Sequence, residues 1–295
     1  VYNGSSKFTS ASETVWLGHT TIPDNWHLSR TGYKLKGYYD SPSGGTQYYD
    51  ANGSALRSTS AWGTDKRYAK VGNLTLYAQW EPVTAEVTFD PNGGLGDTLK
   101  ETWTYGQTPA SLNTSKLPKN TGYIFSGYYD ATSGGSQIMN ANGSPRVSKS
   151  TYTSNKTLYA RWTPITYRIQ FYGDNGTTLL GEMKNVAYNN LTLPGANGKS
   201  GTTQVFSSIS KSGHVFIGWS TVPGLSTAMY EANKHYTVGL TDTQDATVRL
   251  YPAWRAMEDY TVTYDANGGT GAPEAESVRE DNSGYTLSSA KPTRD

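Results

Sequence analysis

Gly122-Tyr-Ile-Phe-Ser-Gly-Tyr-Tyr-Asp130 decides the fold, because the chain repeats it with small changes on either side. Gly32-Tyr-Lys-Leu-Lys-Gly-Tyr-Tyr-Asp40 precedes it, and Gly213-His-Val-Phe-Ile-Gly-Trp-Ser-Thr221 follows. Gly37 to Gly127 is 90 residues, and Gly127 to Gly218 is 91. A second phrase closes each copy: Thr75-Leu-Tyr-Ala-Gln-Trp80, Thr157-Leu-Tyr-Ala-Arg-Trp162 and Arg249-Leu-Tyr-Pro-Ala-Trp254. Self-similarity at a fixed period is the mark of a tandem array.

The inner glycine of the phrase has a predicted task. Leu35, Phe125 and Phe216 lie before it, and Tyr38, Tyr128 and Trp219 lie three residues further on. Side chains of an unbroken strand alternate faces, so positions three apart point opposite ways. A bulge at the glycine resets the alternation and lets both residues reach one core. With Trp80, Trp162 and Trp254 of the closing phrase, these residues are the expected repeat core.

Composition narrows the function classes. The 295 residues carry Lys+Arg 25 against Asp+Glu 24, with no block of like charge. That lacks the electrostatic footprint of a nucleic-acid binder. No apolar run approaches the roughly 18 residues of a membrane span. Cysteine is absent, which excludes disulfides, thiolate metal sites and a cysteine nucleophile. Gly 32 and Tyr 23 with 35% hydrophobic residues suit many short strands joined by turns better than long helices.

In order, the chain reads as repeat unit 1 at 1–81 with a truncated-looking opening, unit 2 at 82–163, unit 3 at 164–255 and a partial unit 4 at 256–295. Because it opens inside a repeat, it is expected to be an excised fragment. Tyr33–Tyr39 and Thr46–Asp50 are predicted to form a hairpin, and Asn-Gly and Gly-Gly pairs supply its turns. Trp62 to Trp80 is eight residues longer than Tyr152 to Trp162, an insertion suited to a surface loop. New units open with Val87-Thr-Phe89-Asp-Pro-Asn-Gly-Gly94, Ile169-Gln-Phe171 and Val262-Thr-Tyr264-Asp-Ala-Asn-Gly-Gly269, each a strand entering a turn. One helix is expected near Pro109–Leu117. Pro252 predicts an edge position or an interrupted ladder for the third closing strand.

The opening strand with Asp-Xaa-Asn-Gly-Gly, the Gly-Tyr-Xaa-Phe-Xaa-Gly-Tyr/Trp-Tyr phrase and the closing Thr-Leu-Tyr-Ala-Xaa-Trp together resemble the Listeria–Bacteroides repeat, which includes the B repeat of internalin-type surface proteins. The resemblance covers nearly the whole chain. It implies an α+β, mostly β fold: a tandem array of small β-grasp-like units with short linkers. It also implies a non-catalytic, extracellular region of a bacterial surface protein, anchored through a part outside this fragment. It offers no catalytic residue to carry over.

No cofactor, metal or catalytic group is expected. His19, His27, His214 and His235 fall in no metal spacing. Asp90, Asn92, Asp265 and Asn267 could suggest calcium, but the Gly-Gly comes too early and a distant bidentate Glu is missing, which favours turn chemistry. Asp40 and Asp130 read as turn caps rather than the facing carboxylates of a glycosidase. Sugar stacking is the alternative to a spacer and adhesion role. Trp26 has Lys116 as its offset-90 partner, so common packing does not explain it. Trp26, Trp62, Tyr48 and Tyr49 are the ligand candidates, and the expected partner is a host or cell-surface protein or glycan.

Overall fold

Ala85, Val87 and Phe89 are buried while Glu86 is exposed, and this period of two makes Thr84–Asp90 a strand with one inner face. Tyr167, Ile169 and Phe171 do the same in Thr166–Tyr172. The computed structural model describes residues 2–3, 6–7, 28–54, 56, 75–281 and 284–293. The chain divides into two compact units, one of residues 1–120 with 125–162, the other of residues 121–124 with 163–295.

Two five-stranded sheets of the same design belong to the first two repeats. In repeat two the opening strand Thr84–Asp90 pairs antiparallel with a return strand, Leu99–Thr104. On its other side it pairs parallel with the closing strand Lys156–Pro164, Phe89 facing Leu158. Beyond the closing strand come the motif strand Tyr123–Tyr129 and its hairpin partner Gln137–Met139. Repeat one has the same order, from Ser6–Lys7 and Tyr2–Asn3 through the closing strand Tyr77–Pro82 and the motif strand Tyr33–Tyr39 to Gln47–Asp50. The eight-residue insertion after Trp62 lies outside the described residues.

In repeat three the main sheet keeps four strands, Leu179–Ala187, Thr166–Tyr172, Thr247–Ala256 and His214–Ser220, beside two short two-stranded ladders. The fifth position is reduced to a bridge between Trp219 and Tyr230. Pro252 does not push its strand to an edge, for Thr247–Ala256 lies between the opening and motif strands. The parallel ladder ends at Phe171 and Leu250, so the proline falls just past it and no amide is missed. The pairing of Trp219 with Pro252 needs none either, because Trp219 exchanges backbone hydrogen bonds with Tyr230 on its far side. In the fourth repeat the hairpin Asp259–Val262 with Glu276–Arg279 is described.

The architecture is nearly all β. Where the sequence suggested a helix near Pro109–Leu117, the structure has one 3-10 turn, Thr114–Lys116. The Leu112 amide donates to the Gly143 carbonyl at 2.9 Å, which commits it to the hairpin turn rather than to a helix. Asn113 then accepts from the Ser115 amide, a side-chain turn that competes with helix.

A bulge sits at the inner glycine. Pairing of motif and closing strands slips between Leu35 and Gly37 in repeat one and between Phe216 and Gly218 in repeat three. As a result Phe125 and Tyr128 meet edge to face at 5.1 Å, and Phe216 and Trp219 at 5.3 Å. Each repeat has its own core. Tyr38 and Ala78 centre the first, with Leu35 and Trp80 packed against them. Phe89, Tyr128, Met139 and Leu158 fill the second, and Phe171, Trp219 and Leu250 the third.

Candidate functional site

The repeated aromatics form the most developed side-chain constellation, and its geometry shows what each is used for. The Trp162 indole packs on Phe125 at 5.5 Å, and its Nε1 donates to the carbonyls of Pro91 (3.1 Å) and Asn92 (3.2 Å). A side chain at Gly94 would collide with this ring. Asn92 in turn donates its side-chain amide to the Ala160 carbonyl at 2.9 Å. The Asp-Pro-Asn-Gly-Gly turn is therefore a socket for the closing tryptophan. Trp254 uses the corresponding turn of repeat three, packing on Phe216 at 5.4 Å and donating to Asp174.

The acidic and amide groups of these turns are occupied locally. Asp90 Oδ1 accepts from the Asn92 amide at 2.7 Å, and Asp265 Oδ1 from the Asn267 amide at 2.8 Å. Asp40 and Asp130 accept from the amides of Thr46 and Ser136, both at 2.7 Å, closing the Ser-Gly-Gly loops. The Gln79 side chain latches the first of those loops through the carbonyls of Ser41 and Gly44. Arg161 latches the second through Ala131 and Gly134, its guanidinium lying over the Tyr129 ring. Burial, reinforced by the nearby Asp90 charge, pushes the Tyr128 hydroxyl up to about 12. Among the described residues no group of three or more His, Cys, Asp or Glu is arranged to hold a metal ion.

The ligand candidates separate. Trp26 and Trp62 lie outside the described residues. Tyr48 and Tyr49 are buried in the first repeat core, 4% and 5% exposed, and offer no open ring face. A register shift at Tyr38 and Tyr39 lets two consecutive tyrosines turn inward. The signal that would have placed them is their offset-90 partners, Ile138 and Met139, which are also buried. Tyr152, the offset-90 partner of Trp62, stacks on Trp103 at 5.6 Å with an interplanar angle of 6°. Trp103 itself is buried. His214 occupies the slot of Tyr33 and Tyr123, its Nδ1 2.9 Å from the Ser212 carbonyl oxygen.

An open polar groove of about 300 Å³ is bordered by Thr166, Tyr167, Arg168, Lys184, Asn185 and Asp245. It lies where the return strand slips register, with Asn185 at φ 52°. Glu182 sits between its cations, 2.7 Å from Lys184 and 3.7 Å from Arg168, and they hold its carboxyl below the usual carboxylate range. Those cations are thereby partly neutralised.

A bidentate ion pair ties the fourth-repeat hairpin to the end of the third closing strand. Arg255 binds both oxygens of Glu280, at 2.6 and 2.9 Å, with Glu258 3.9 Å away and Tyr260 donating to Glu258. The hydrogen bonds from Arg255 and the Glu258 amide hold the Glu280 carboxyl below its ordinary value. A carboxylate favoured by folding contributes stability above its unfolded pKa, roughly 4.3, and loses it as pH falls through the lower folded value. Amide protection of Val262 and Arg279, followed by NMR as the pH is lowered from neutral to acid, should therefore weaken modestly, as expected for a surface ion pair, while that of Phe89 and Leu158 holds. Protection of Val262 and Arg279 that does not change between neutral and acid pH would contradict this assignment.

Comparison with known proteins follows the same repeat pattern. Residues 86–161, 167–243 and 260–295 match the Listeria-Bacteroides repeat domain. A "Putative Gly-rich membrane protein" of Evansella cellulosilytica is 27% identical over 90% of this chain and 26% of its own length. A second Evansella cellulosilytica protein, a "Putative membrane protein", is 27% identical over 69% of the chain and 26% of its own length. Internalin H of Listeria monocytogenes serovar 1/2a is 33% identical over 46% of the chain and 20% of its own length. The chain thus spans about a quarter or less of the relatives it matches. No helix among the described residues is long and apolar enough to cross a membrane.

Proposed function

We propose that this chain, which belongs to the Listeria-Bacteroides repeat domain family, is a non-catalytic spacer on a bacterial surface, carrying or helping to dock a binding head. The supporting observation is how the repeated aromatics are spent. Leu35 and Phe216 face Trp80 and Trp254 across paired strands, Phe125 packs on Trp162, and two of the indoles plug their own repeat's turn. Side chains committed to packing build copies of one support rather than a cleft. In this reading the units are 1–81, 82–163, 164–255 and the beginning of a fourth. Each full unit is β-grasp-like: the parallel central pair flanked by antiparallel strands supports that description, with a 3-10 turn where a helix would cross. An extracellular position is supported by similarity to Internalin H and to proteins described as membrane proteins.

The second reading, a carbohydrate-binding accessory array, now rests on Trp26 and Trp62. A glycan array probed with the purified chain separates the two. The spacer reading expects no signal above background. A signal that falls in Trp26→Ala or Trp62→Ala would replace it with the carbohydrate reading.

A further inference from the structure

The bulge explains the inner glycine of each phrase and leaves the outer one, Gly32, without a reason. Gly32 is buried, and a Cβ on it would run into the ring of Tyr105, the residue that follows the return strand of the next repeat. The Gly32 carbonyl accepts from the Val83 amide at 2.9 Å, and the Val83 carbonyl accepts from the Tyr105 amide at 2.9 Å. Val83 is the one residue between the closing strand of repeat one, ending at Pro82, and the opening strand of repeat two, starting at Thr84. A single linker residue therefore bonds to both sheets. The Tyr33 ring meets Tyr105 edge-on at 5.7 Å, and the Arg30 guanidinium covers Tyr33 at 3.8 Å.

The arrangement recurs inside the second compact unit. The Gly122 carbonyl accepts from Ile165, whose carbonyl accepts from Tyr188, both at 2.9 Å. The Tyr188 ring lies where a Gly122 side chain would stand, and Tyr123 meets it at 5.8 Å. At Gly213 the two bonds are split between Met257 and Glu258, and the Arg279 guanidinium replaces the ring.

We propose that Gly32, Val83 and Tyr105 form a clamp that couples repeats one and two, so that they open as one cooperative body rather than as independent beads. In a one-dimensional array, cooperativity is set by the interface between neighbours relative to each repeat's own stability. The linker has no free length to decouple them, since a loose connector would leave the Val83 amide and carbonyl to water. The outer Gly-Tyr of the phrase is then a joint element, distinct from the core element that follows it. This inference rests on geometry alone and holds whether the array is a spacer or a glycan binder.

Native-state hydrogen exchange on the full chain, read by mass spectrometry, tests it. Leu158→Ala weakens the core of repeat two, remote from the joint. With the clamp intact, peptides covering Tyr33–Tyr39 should lose protection by at least about tenfold, because local openings report the cooperative unit they belong to. Adding Tyr105→Ser should reduce that transmitted loss to less than about twofold, whereas Tyr105→Phe, which keeps the ring, should preserve it. Leu158→Val provides the same comparison should Leu158→Ala prevent repeat two from folding. Protection of Tyr33–Tyr39 indifferent to the Leu158 substitution would overturn the clamp, and so would coupling that survives Tyr105→Ser.

Discussion

Trp219→Ala should cost the third repeat about 3–5 kcal/mol, the range for emptying a large aromatic from a packed core. Trp219 is fully buried, its ring 4.7 Å from Phe171, 5.3 Å from Phe216 and 5.6 Å from Phe206. Three rings would face the void, each losing edge-to-face contact as well as apolar burial. The indole also donates from Nε1 to the Pro194 carbonyl at 2.8 Å, which would be left unpaired in the interior. A unit of about 90 residues has a total stability of only roughly 5–13 kcal/mol. The loss would therefore leave repeat three marginal, visible as an early urea transition in exchange-protected peptides covering Thr166–Tyr172. Trp219→Phe keeps most of the volume, removes the N–H donor and should cost about 1–3 kcal/mol. An alanine variant within about 1 kcal/mol of the parent, well below the core range, would show that the ring does not centre this core.

Gly127→Ala is the second large expectation, at about 2–6 kcal/mol from backbone strain and overpacking together. Gly127 has φ 113°, a conformation costing a side-chain-bearing residue of order 1–3 kcal/mol. The added methyl would also press on the Met139 carbonyl and the Gln137 side-chain amide, and overpacking of that kind costs about 1–3 kcal/mol. Gln137 is there for a reason. Gln137 Nε2 donates to the Ser126 carbonyl at 2.8 Å and to the Met139 carbonyl at 3.2 Å, bracing the bulge from inside the hairpin. Gln47 plugs the bulge of repeat one in the same way, through Lys36 at 3.0 Å and Tyr49 at 3.1 Å. Gln137→Leu should accordingly cost about 1–3 kcal/mol by removing two hydrogen bonds. Exchange protection in Lys156–Pro164 reports both variants. Gly127→Ala indistinguishable from the parent there would mean that the bulge is not obligatory.

These two expectations draw on different layers of information. Trp219 stood out because a large aromatic recurs at that slot in every copy, a pattern that packing writes into sequence. The bulge was legible because Leu35 and Tyr38, with their counterparts, keep an odd spacing that an unbroken strand cannot bury on one side. Gln137 was not legible. Its offset-90 match with Gln47 was visible, but nothing in one dimension says that an amide reaches across a hairpin to the Ser126 carbonyl and along its own strand to that of Met139. Tyr48 and Tyr49 misled for a related reason: adjacent tyrosines suggest an open platform, and a register slip in their own strand turned both inward. The helix near Pro109–Leu117 failed because a nine-residue segment rich in Ser, Thr and Asn is marginal by itself, and the hairpin turn claimed the Leu112 amide.

The sequence by itself determined the period, the opening, motif and closing strands and the family, since ring spacing, Asn-Gly turns and alternation are local signals. The tertiary structure alone decided what the glycines and turns are for. Gly94 clears space for an indole 68 residues away, Gly32 lies under a ring 73 residues away, and Val83 bonds to two sheets at once. Such pairings join residues distant along the chain, and their geometry depends on how strands bulge and return, which is settled only when the sheets close over their cores.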